Sequence, residues 1–335
     1  MTRPGALMAA EVAEIPQVVA RQLDDHLDAY LALGRAWAGR PPPFFATCAR
    51  GTSDQAALFF KYLTEVGTGI PVASLGPSLG TLSETGLRMQ GAVLLAVSQS
   101  GASPDLVALT RRAGAGGATT VALLNTLPSP LAGAADLALP LGAGPERAVA
   151  ATKSFVASLV AVAAIHAGQT GNRLLLDDLR HLPAALREPG PTPPDLMPLA
   201  RARRLFCLGR GLGLALAGEA ALKFKETCLL AAEGISTAEF RHGPLALADR
   251  DTAALVFLLD DPTRAGSEDL LVALRDRGVE VVPLGTDGAA RGLRHPAAQA
   301  IAAITGFYAL ICGLAVDLGL NPDAPPHLGK ATLTE

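Results

Sequence analysis

Aromatic and charged residues are both scarce in this chain, at 4% and 18% of its 335 residues. So few charges exclude a chain kept disordered by self-repulsion, and one that coats nucleic acid. The net charge of −3 gives no global pull on polyanions, so any anion site must be local. Cysteine is sparse too. Cys48, Cys207, Cys228 and Cys312 are scattered, form no CxxC pair and lie in apolar runs. They predict buried, reduced thiols in a cytosolic protein. The opening residues Met1–Ala10 lack a basic region followed by a long apolar core, so no signal peptide is expected. The longest apolar stretches, Val156–Ala167 and Ile301–Val316, are interrupted by Ser, His, Thr or Gly. They predict buried helices, not membrane spans. There is no GxxxxGK[ST] phosphate loop. "GRGLGLALAG" (Gly209–Gly218) imitates a dinucleotide fingerprint, but position 214 is Leu.

What the chain does have is apolar material, half of all residues, enough for about two domains at the usual ~150 residues each. Short apolar runs alternate with helical patterns. Strands are predicted at Phe44–Cys48, Val93–Val97, Thr120–Leu124 and Leu137–Leu139. Helices are predicted at Glu11–Trp37, Asp54–Val66, Pro104–Ala113 and Val149–Ala167. Strands with no polar alternation imply a parallel sheet covered on both faces. Glu188–Pro194, rich in proline, reads as a linker. The pattern then restarts, with strands at Leu205–Leu208, Ala253–Leu259 and Val279–Leu284, and helices at Leu212–Ala232, Gly266–Arg277 and Pro296–Leu318. "FFATCARGTS" and "LFCLGRGLG" both run strand, Arg-Gly, helix. Two copies of one doubly wound α/β unit are expected.

The copies differ at one strand exit. The first has "VSQSGASPD", the second "LLDDPTRA" with Asp260 and Asp261. Hydroxyls and an amide (Ser98, Gln99, Ser100) can donate to an anion, Gly101 allows close backbone approach, and Ser103 with Pro104 can open a helix whose N-terminus favours negative charge. Gly51-Thr52-Ser53 forms a second hydroxyl-bearing turn. A neutral cradle of this kind suits a phosphate used as a handle; a plain capped loop is the alternative. The aspartates of the second copy would repel an anion, so the first copy is expected to hold it.

Three further places invite chemistry. On "GEAALKFKETC", Glu219, Lys223 and Glu226 share one helix face. Their neighbours are apolar almost all round, so the charges should be buried and need a partner or a purpose; a solvated salt-bridge stripe is the alternative. His242 sits in a Gly-Pro turn between Glu239 and Arg241, where a structural role is the ordinary one. Lys330 lies in a Pro-rich tail that reads as extended and solvated.

Seven stretches in order, "MAAEVAEIP", "RGTSDQA", "SQSGASPD", "ERAVAATKSF", "GRGLGLALAGEAALKFKE", "EFRHGPLAL" and "HLGKATLTE", resemble the double sugar-isomerase (SIS) domain family over nearly the whole chain. The chain is similar to the isomerase half of glucosamine-6-phosphate synthase. Arg50, where the synthase has cysteine, brings it nearer the stand-alone SIS-type glucosamine-6-phosphate deaminases. No glutaminase domain or N-terminal catalytic cysteine precedes the first motif, so glutamine-dependent synthesis by this chain alone is not expected.

The resemblance implies two tandem flavodoxin-like domains. Residues 1–40 would be a helical segment, 41–187 the phosphate-binding domain, 195–320 the catalytic-helix and His-loop domain, and 321–335 an active-site tail. It implies that Thr52, Ser53, Ser98, Gln99, Ser100 and Ser103 bind the sugar phosphate, with Arg50, Gly51, Gly101, Val149, Ala150 and Lys223 lining the substrate. Glu226 would move a proton between C1 and C2, His242 would assist ring opening from a neighbouring subunit, and Lys330 would reach the open-chain sugar. The expected protein is a cytosolic homodimer that needs no metal or cofactor and binds no nucleic acid or membrane. Its expected reaction is deamination of glucosamine 6-phosphate to fructose 6-phosphate. Galactosamine-6-phosphate deamination, fructosamine-6-phosphate cleavage and non-catalytic sugar-phosphate sensing are the alternatives.

Overall fold

The computed structural model describes residues 3–82, 85–188, 194–285 and 291–330. Among them the chain forms, in order, α1 (Ala6–Gly39), β1 (Phe45–Cys48), α2 (Thr52–Thr68), β2 (Val72–Ser74), α3 (Leu79–Leu82), β3 (Val93–Ser98), α4 (Pro104–Ala115), β4 (Thr119–Leu124), β5 (Leu137–Pro140), α5 (Lys153–Thr170) and α6 (Arg173–Ala185). There follow α7 (Met197–Ala200), β6 (Arg204–Gly209), α8 (Leu212–Cys228), β7 (Ala232–Ser236), α9 (Thr237–Phe240), β8 (Thr252–Phe257), α10 (Arg264–Arg275), β9 (Glu280–Leu284) and α11 (Pro296–Asp317). Two compact units result. The first comprises Gln17–Glu146 and Lys153–Leu176; the second comprises residues 3–16, Arg147–Thr152 and Asp177–Lys330.

The first unit holds a five-stranded sheet in the order β2-β1-β3-β4-β5, parallel throughout. The six residues of β3 are all buried, as expected of a strand covered on both faces. On one face Ala46, Cys48, Leu94, Ala96 and Ala122 pack on Leu106, Leu109 and Ala113 of α4. On the other, Phe45 meets Trp37 of α1 and Phe60 of α2 edge-on, at 4.9 and 5.4 Å between ring centres. Neighbouring residues of one strand thus fill two different cores, through the period-two geometry of a strand.

The second unit repeats the plan with a four-stranded parallel sheet, β7-β6-β8-β9. Phe206, Leu208, Ala254 and Val256 pack on Leu270, Leu271 and Leu274 of α10. Phe257 and Phe224 of α8 meet Phe307 of α11 on the other face. Helix α11 is long and apolar enough to cross a membrane, with mean hydropathy 1.8, but 67% of that stretch is buried in the fold. It is a core helix by its packing.

The α/β class, the parallel sheets and the repeat agree with the sequence reading. Several bounds do not. The helix expected over Leu212–Ala232 stops at Cys228, where Leu229 turns left-handed (φ 55°), and Ala232 already belongs to β7. The helix expected from Val149 begins at Lys153. The tail is not extended: Ala324 N–H donates to the Asn321 carbonyl and His327 has φ 63°. Most of the linker predicted at Glu188–Pro194, residues 189–193, lies outside the described residues, as do tail residues 331–335.

Candidate active site

In a sheet of order 2-1-3-4-5, the connections leave β1 and β3 toward opposite sides, and ligands bind in the crevice at those carboxyl ends. The two hydroxyl-bearing turns of the first unit lie there. Residues Arg50 and Gly51 join β1 to α2, and Gln99–Ser103 join β3 to α4. Gly51 takes φ 54° and ψ −129°, an orientation closed to most side chains. Thr52 and Ser53 then open α2. Gly101 has φ 63°, and a Cβ there would stand 2.3 Å from the Ser129 hydroxyl oxygen. The glycine is required by both conformation and space.

The cradle hydroxyls also shape the turn. Ser98 Oγ, on a buried residue, accepts the Gly101 N–H at 3.0 Å, and Ser100 Oγ accepts the Ala102 N–H at 3.3 Å. Accepting these bonds leaves the hydroxyl protons to donate outward. Ser103 occupies the position before α4, as expected, but its side chain makes no cap bond, contrary to the sequence reading. Its extended backbone and Pro104 suffice to start the helix.

Arg50 is not an open cation beside this turn. Its Nε donates to Asp105 Oδ2 at 2.7 Å and a terminal nitrogen makes a second bond to the same oxygen. The Asp105 side chain is 1% exposed. The pairing cancels the charge of Arg50 next to the cradle. Asp54, in the first turn of α2, is raised above its ordinary value by burial, against the pull of Arg50. The neutral character expected of the cradle therefore arises from pairing.

In the second unit the charged helix face is buried as expected. Glu219 and Lys223 have no exposed surface, while the Glu226 side chain keeps 22%. Lys223 Nζ lies 2.5 Å from Glu226 Oε2 and 3.4 Å from Glu219 Oε1, and the Tyr308 hydroxyl donates to Glu219 Oε1 at 2.7 Å. Burial works against the charge of Lys223. The two carboxylates outweigh it and raise its pKa above the usual lysine value. Glu226 is thus the one member of the triad that a substrate can touch.

Lys330 is not simply solvated. Its ammonium donates to the Ala148 carbonyl at 2.6 Å. The adjoining Val149 N–H donates to the Asp323 carbonyl at 3.1 Å, and the Asp323 carboxylate accepts the Leu7 and Met8 N–H groups at 3.1 and 2.8 Å. The structure thereby brings Lys330 to the peptide between Ala148 and Val149. His242 is exposed at the lip of a recess of about 340 Å³ lined also by Arg210, Thr237, Arg241 and Asp269.

The aspartates of the second copy are bonded locally. Asp260 is paired with Arg264 and accepts from Gln299 Nε2 at 3.1 Å. Asp261 Oδ1 accepts the Thr263 N–H and hydroxyl at 2.7 and 2.6 Å. The recess near them is lined by two arginines and Asp269. Two participants escaped sequence reasoning. Asp105 and Tyr308 carry no signal in local pattern, because their partners are far away along the chain. Arg210 is legible as the repeat partner of Arg50, but its place in a recess is not.

Among the described residues no group of three or more His, Cys, Asp or Glu side chains could hold a metal ion. The four cysteines are buried.

Comparison with known proteins bears on the family and the fold. Residues 46–167 and 198–290 match the SIS domain. The chain is 34% identical over 313 residues to the isomerizing glutamine–fructose-6-phosphate aminotransferase of Halobacterium salinarum, covering 86% of this chain and 51% of that protein. It spans about half the length of that curated relative. In structure it is similar to a protein of Silicibacter pomeroyi provisionally named a phosphosugar isomerase, at TM-score 0.85 and 39% identity, over 94% of this chain and 99% of that one. It also shares the fold of glucosamine-6-phosphate deaminase from Thermotoga maritima, at TM-score 0.77 and 20% identity, over 98% and 100%.

Proposed function

This chain belongs to the SIS domain family, and from that premise we propose that it is an amino-sugar-phosphate deaminase, converting glucosamine 6-phosphate and water to fructose 6-phosphate and ammonia. The observation that carries this reading is the Lys223-bound carboxylate of Glu226, partly exposed on an otherwise buried ion cluster. A base of this kind is oriented and reachable.

In this reading Ser98, Gln99, Ser100 and Ser103, with Thr52 and Ser53, hold the 6-phosphate. They bind a group that takes no part in bond making, so its binding energy is available to position the reacting carbons. In the open-chain sugar the C1 aldehyde acidifies the C2 hydrogen. Glu226 takes that proton from C2 and returns it to C1. Lys330, a cation in the tail, stabilises the oxygen at C1 as charge develops there. The oxygen at C1 gains a proton as the C2 amine gives one up, and the resulting C2 imine adds water and expels ammonia, leaving the ketose. His242, contributed by a partner subunit in a cytosolic homodimer, assists ring opening. Arg50, tied to Asp105, stiffens the cradle and makes no charge contact with the phosphate.

The test is ammonia release by the purified full chain from glucosamine 6-phosphate, galactosamine 6-phosphate, fructosamine 6-phosphate and unphosphorylated glucosamine. Ammonia and fructose 6-phosphate from the first substrate, and none from the last, are expected. Binding of the sugar phosphates with no ammonia from any of them would overturn the deaminase and leave a sensor.

A further inference from the structure

The two copies use the same turn with different outcomes for its arginine. Gly51 and Gly211 have nearly the same backbone, φ 54° and ψ −129° against φ 58° and ψ −125°. The arginines before them therefore leave equivalent strands in equivalent directions. In the first copy Arg50 is consumed by the buried Asp105. Among the described residues Arg210 makes no ion pair: Asp260 pairs with Arg264, and Asp261, whose Oδ1 accepts from Thr263, keeps its other carboxylate oxygen near Gly211. Arg210 instead lines the 340 Å³ recess at the carboxyl ends of β6 and β7.

Arg241 and His242 enter the same recess from the turn after α9. An Arg241 terminal nitrogen donates to the Gly266 carbonyl at 3.3 Å, which steadies the guanidinium and leaves other N–H groups of its fork to donate. Thr237 is paired with Ser267 at 3.1 Å, and Asp269 is the one acidic side chain in the lining. Two guanidinium groups share the lining with the Asp269 carboxylate, the Asp261 carboxylate lies close by at Gly211, and His242 adds a further donor.

We infer that this recess is a second oxyanion site, which takes a small phosphorylated metabolite by its phosphate group. Guanidinium forks match the tetrahedral oxygens of phosphate in bidentate fashion. The volume sits near the lower end of the roughly 300–1,000 Å³ usual for small-ligand pockets, which suits a phosphate bearing a few carbons. The site is built from residues of the second unit; His242 also serves the deaminase reading, so a double serine variant of the first unit separates a response at this recess from one at the phosphate cradle.

The experiment titrates the full chain, carrying ring-labelled histidine, with inorganic phosphate at constant pH and with sodium chloride making up the ionic strength. The His242 ring resonance, identified by its loss in His242→Asn, reports on the recess. A saturable shift is expected with phosphate and not with chloride. Arg210→Gln combined with Arg241→Gln should weaken it roughly tenfold or more, as lost charge-assisted bonds require. Ser98→Ala with Ser100→Ala should leave it unchanged, which separates this site from the cradle of the first unit. Both arginines are exposed, so their replacement spares the core. No saturation up to roughly 30 mM phosphate, or a shift undiminished in the double arginine variant, would overturn the site. A shift lost only in the double serine variant would assign the response to the other cradle.

Discussion

Lys223, fully buried, stands 2.5 Å from the Glu226 carboxylate and 3.4 Å from that of Glu219, so one ammonium bridges two acids on a single helix face. The arrangement joins stability and chemistry. The inner carboxylate has no exposed surface; the outer one is partly open. Removing a given member should therefore affect the fold and the reaction to different degrees.

Glu226→Gln should abolish proton transfer while keeping the fold. Loss of a general base lowers turnover by about 10²–10⁴-fold. Lys223 retains Glu219 as its counter-ion, so the melting temperature should change little. The measurements are solvent deuterium at C1 of the product, ammonia release and thermal unfolding. A variant that melts early and still deaminates would make the cluster structural.

Lys223→Met should do the opposite. It leaves Glu219 buried without its cation, and breaking such a pair costs about 3–5 kcal/mol. Urea denaturation reads this loss directly. Adding Glu219→Gln should restore part of it, since a neutral amide pays less for burial; a double variant less stable than Lys223→Met would contradict the electrostatic account. Because the folded-state pKa of Lys223 is raised, its contribution is complete at neutral pH and is lost only as pH rises through and beyond the usual lysine value.

The proposed shared-site dimer predicts complementation. Glu226→Gln and His242→Ala, each inactive, are mixed one to one, unfolded and refolded together. Random pairing makes about half the dimers mixed, each with one intact site if the two residues come from opposite subunits, so roughly a quarter of wild-type activity should return. Efficient re-pairing with no activity would confine both residues to one subunit or make His242 structural.

The cysteines should be inert in the native protein. Burial pushes the Cys48 thiol up to about 12 and that of Cys228 to about 11, and also raises Cys207 and Cys312. Thiolate is the reactive form. Near pH 8 a maleimide or disulfide reagent should label none of the four until urea is added. Rapid labelling of Cys48 in the folded state would show that the β1 core opens.

How much of this was legible beforehand follows from the range of the interactions involved. Strands such as β3 and β8, buried along their whole length, announce themselves as unbroken apolar runs, because a strand covered on both faces has no polar side to show. The edge strands β2 and β7 escaped. Glu233 and Gly234 are exposed within β7, and Val72–Ser74 is too short to carry a pattern. The Ser-rich turn was readable because strand, hydroxyls, glycine and proline are contiguous. So was the buried face of α8, since helical spacing puts Glu219, Lys223 and Glu226 together without help from the rest of the chain.

What the sequence by itself determined is therefore local: the α/β alternation, the repeat, the turn chemistry and the charged helix face. Tertiary structure alone decided which charges cancel. Arg50 is neutralised by Asp105, Glu219 receives Tyr308, and Lys330 is drawn to Ala148, all across long chain separations. Equivalent arginines leave the same turn in both copies, and one is spent on a buried carboxylate while the other faces a recess. Coulomb and hydrogen-bond energies depend on distance in space and on burial, and neither is encoded in the spacing of residues along the chain.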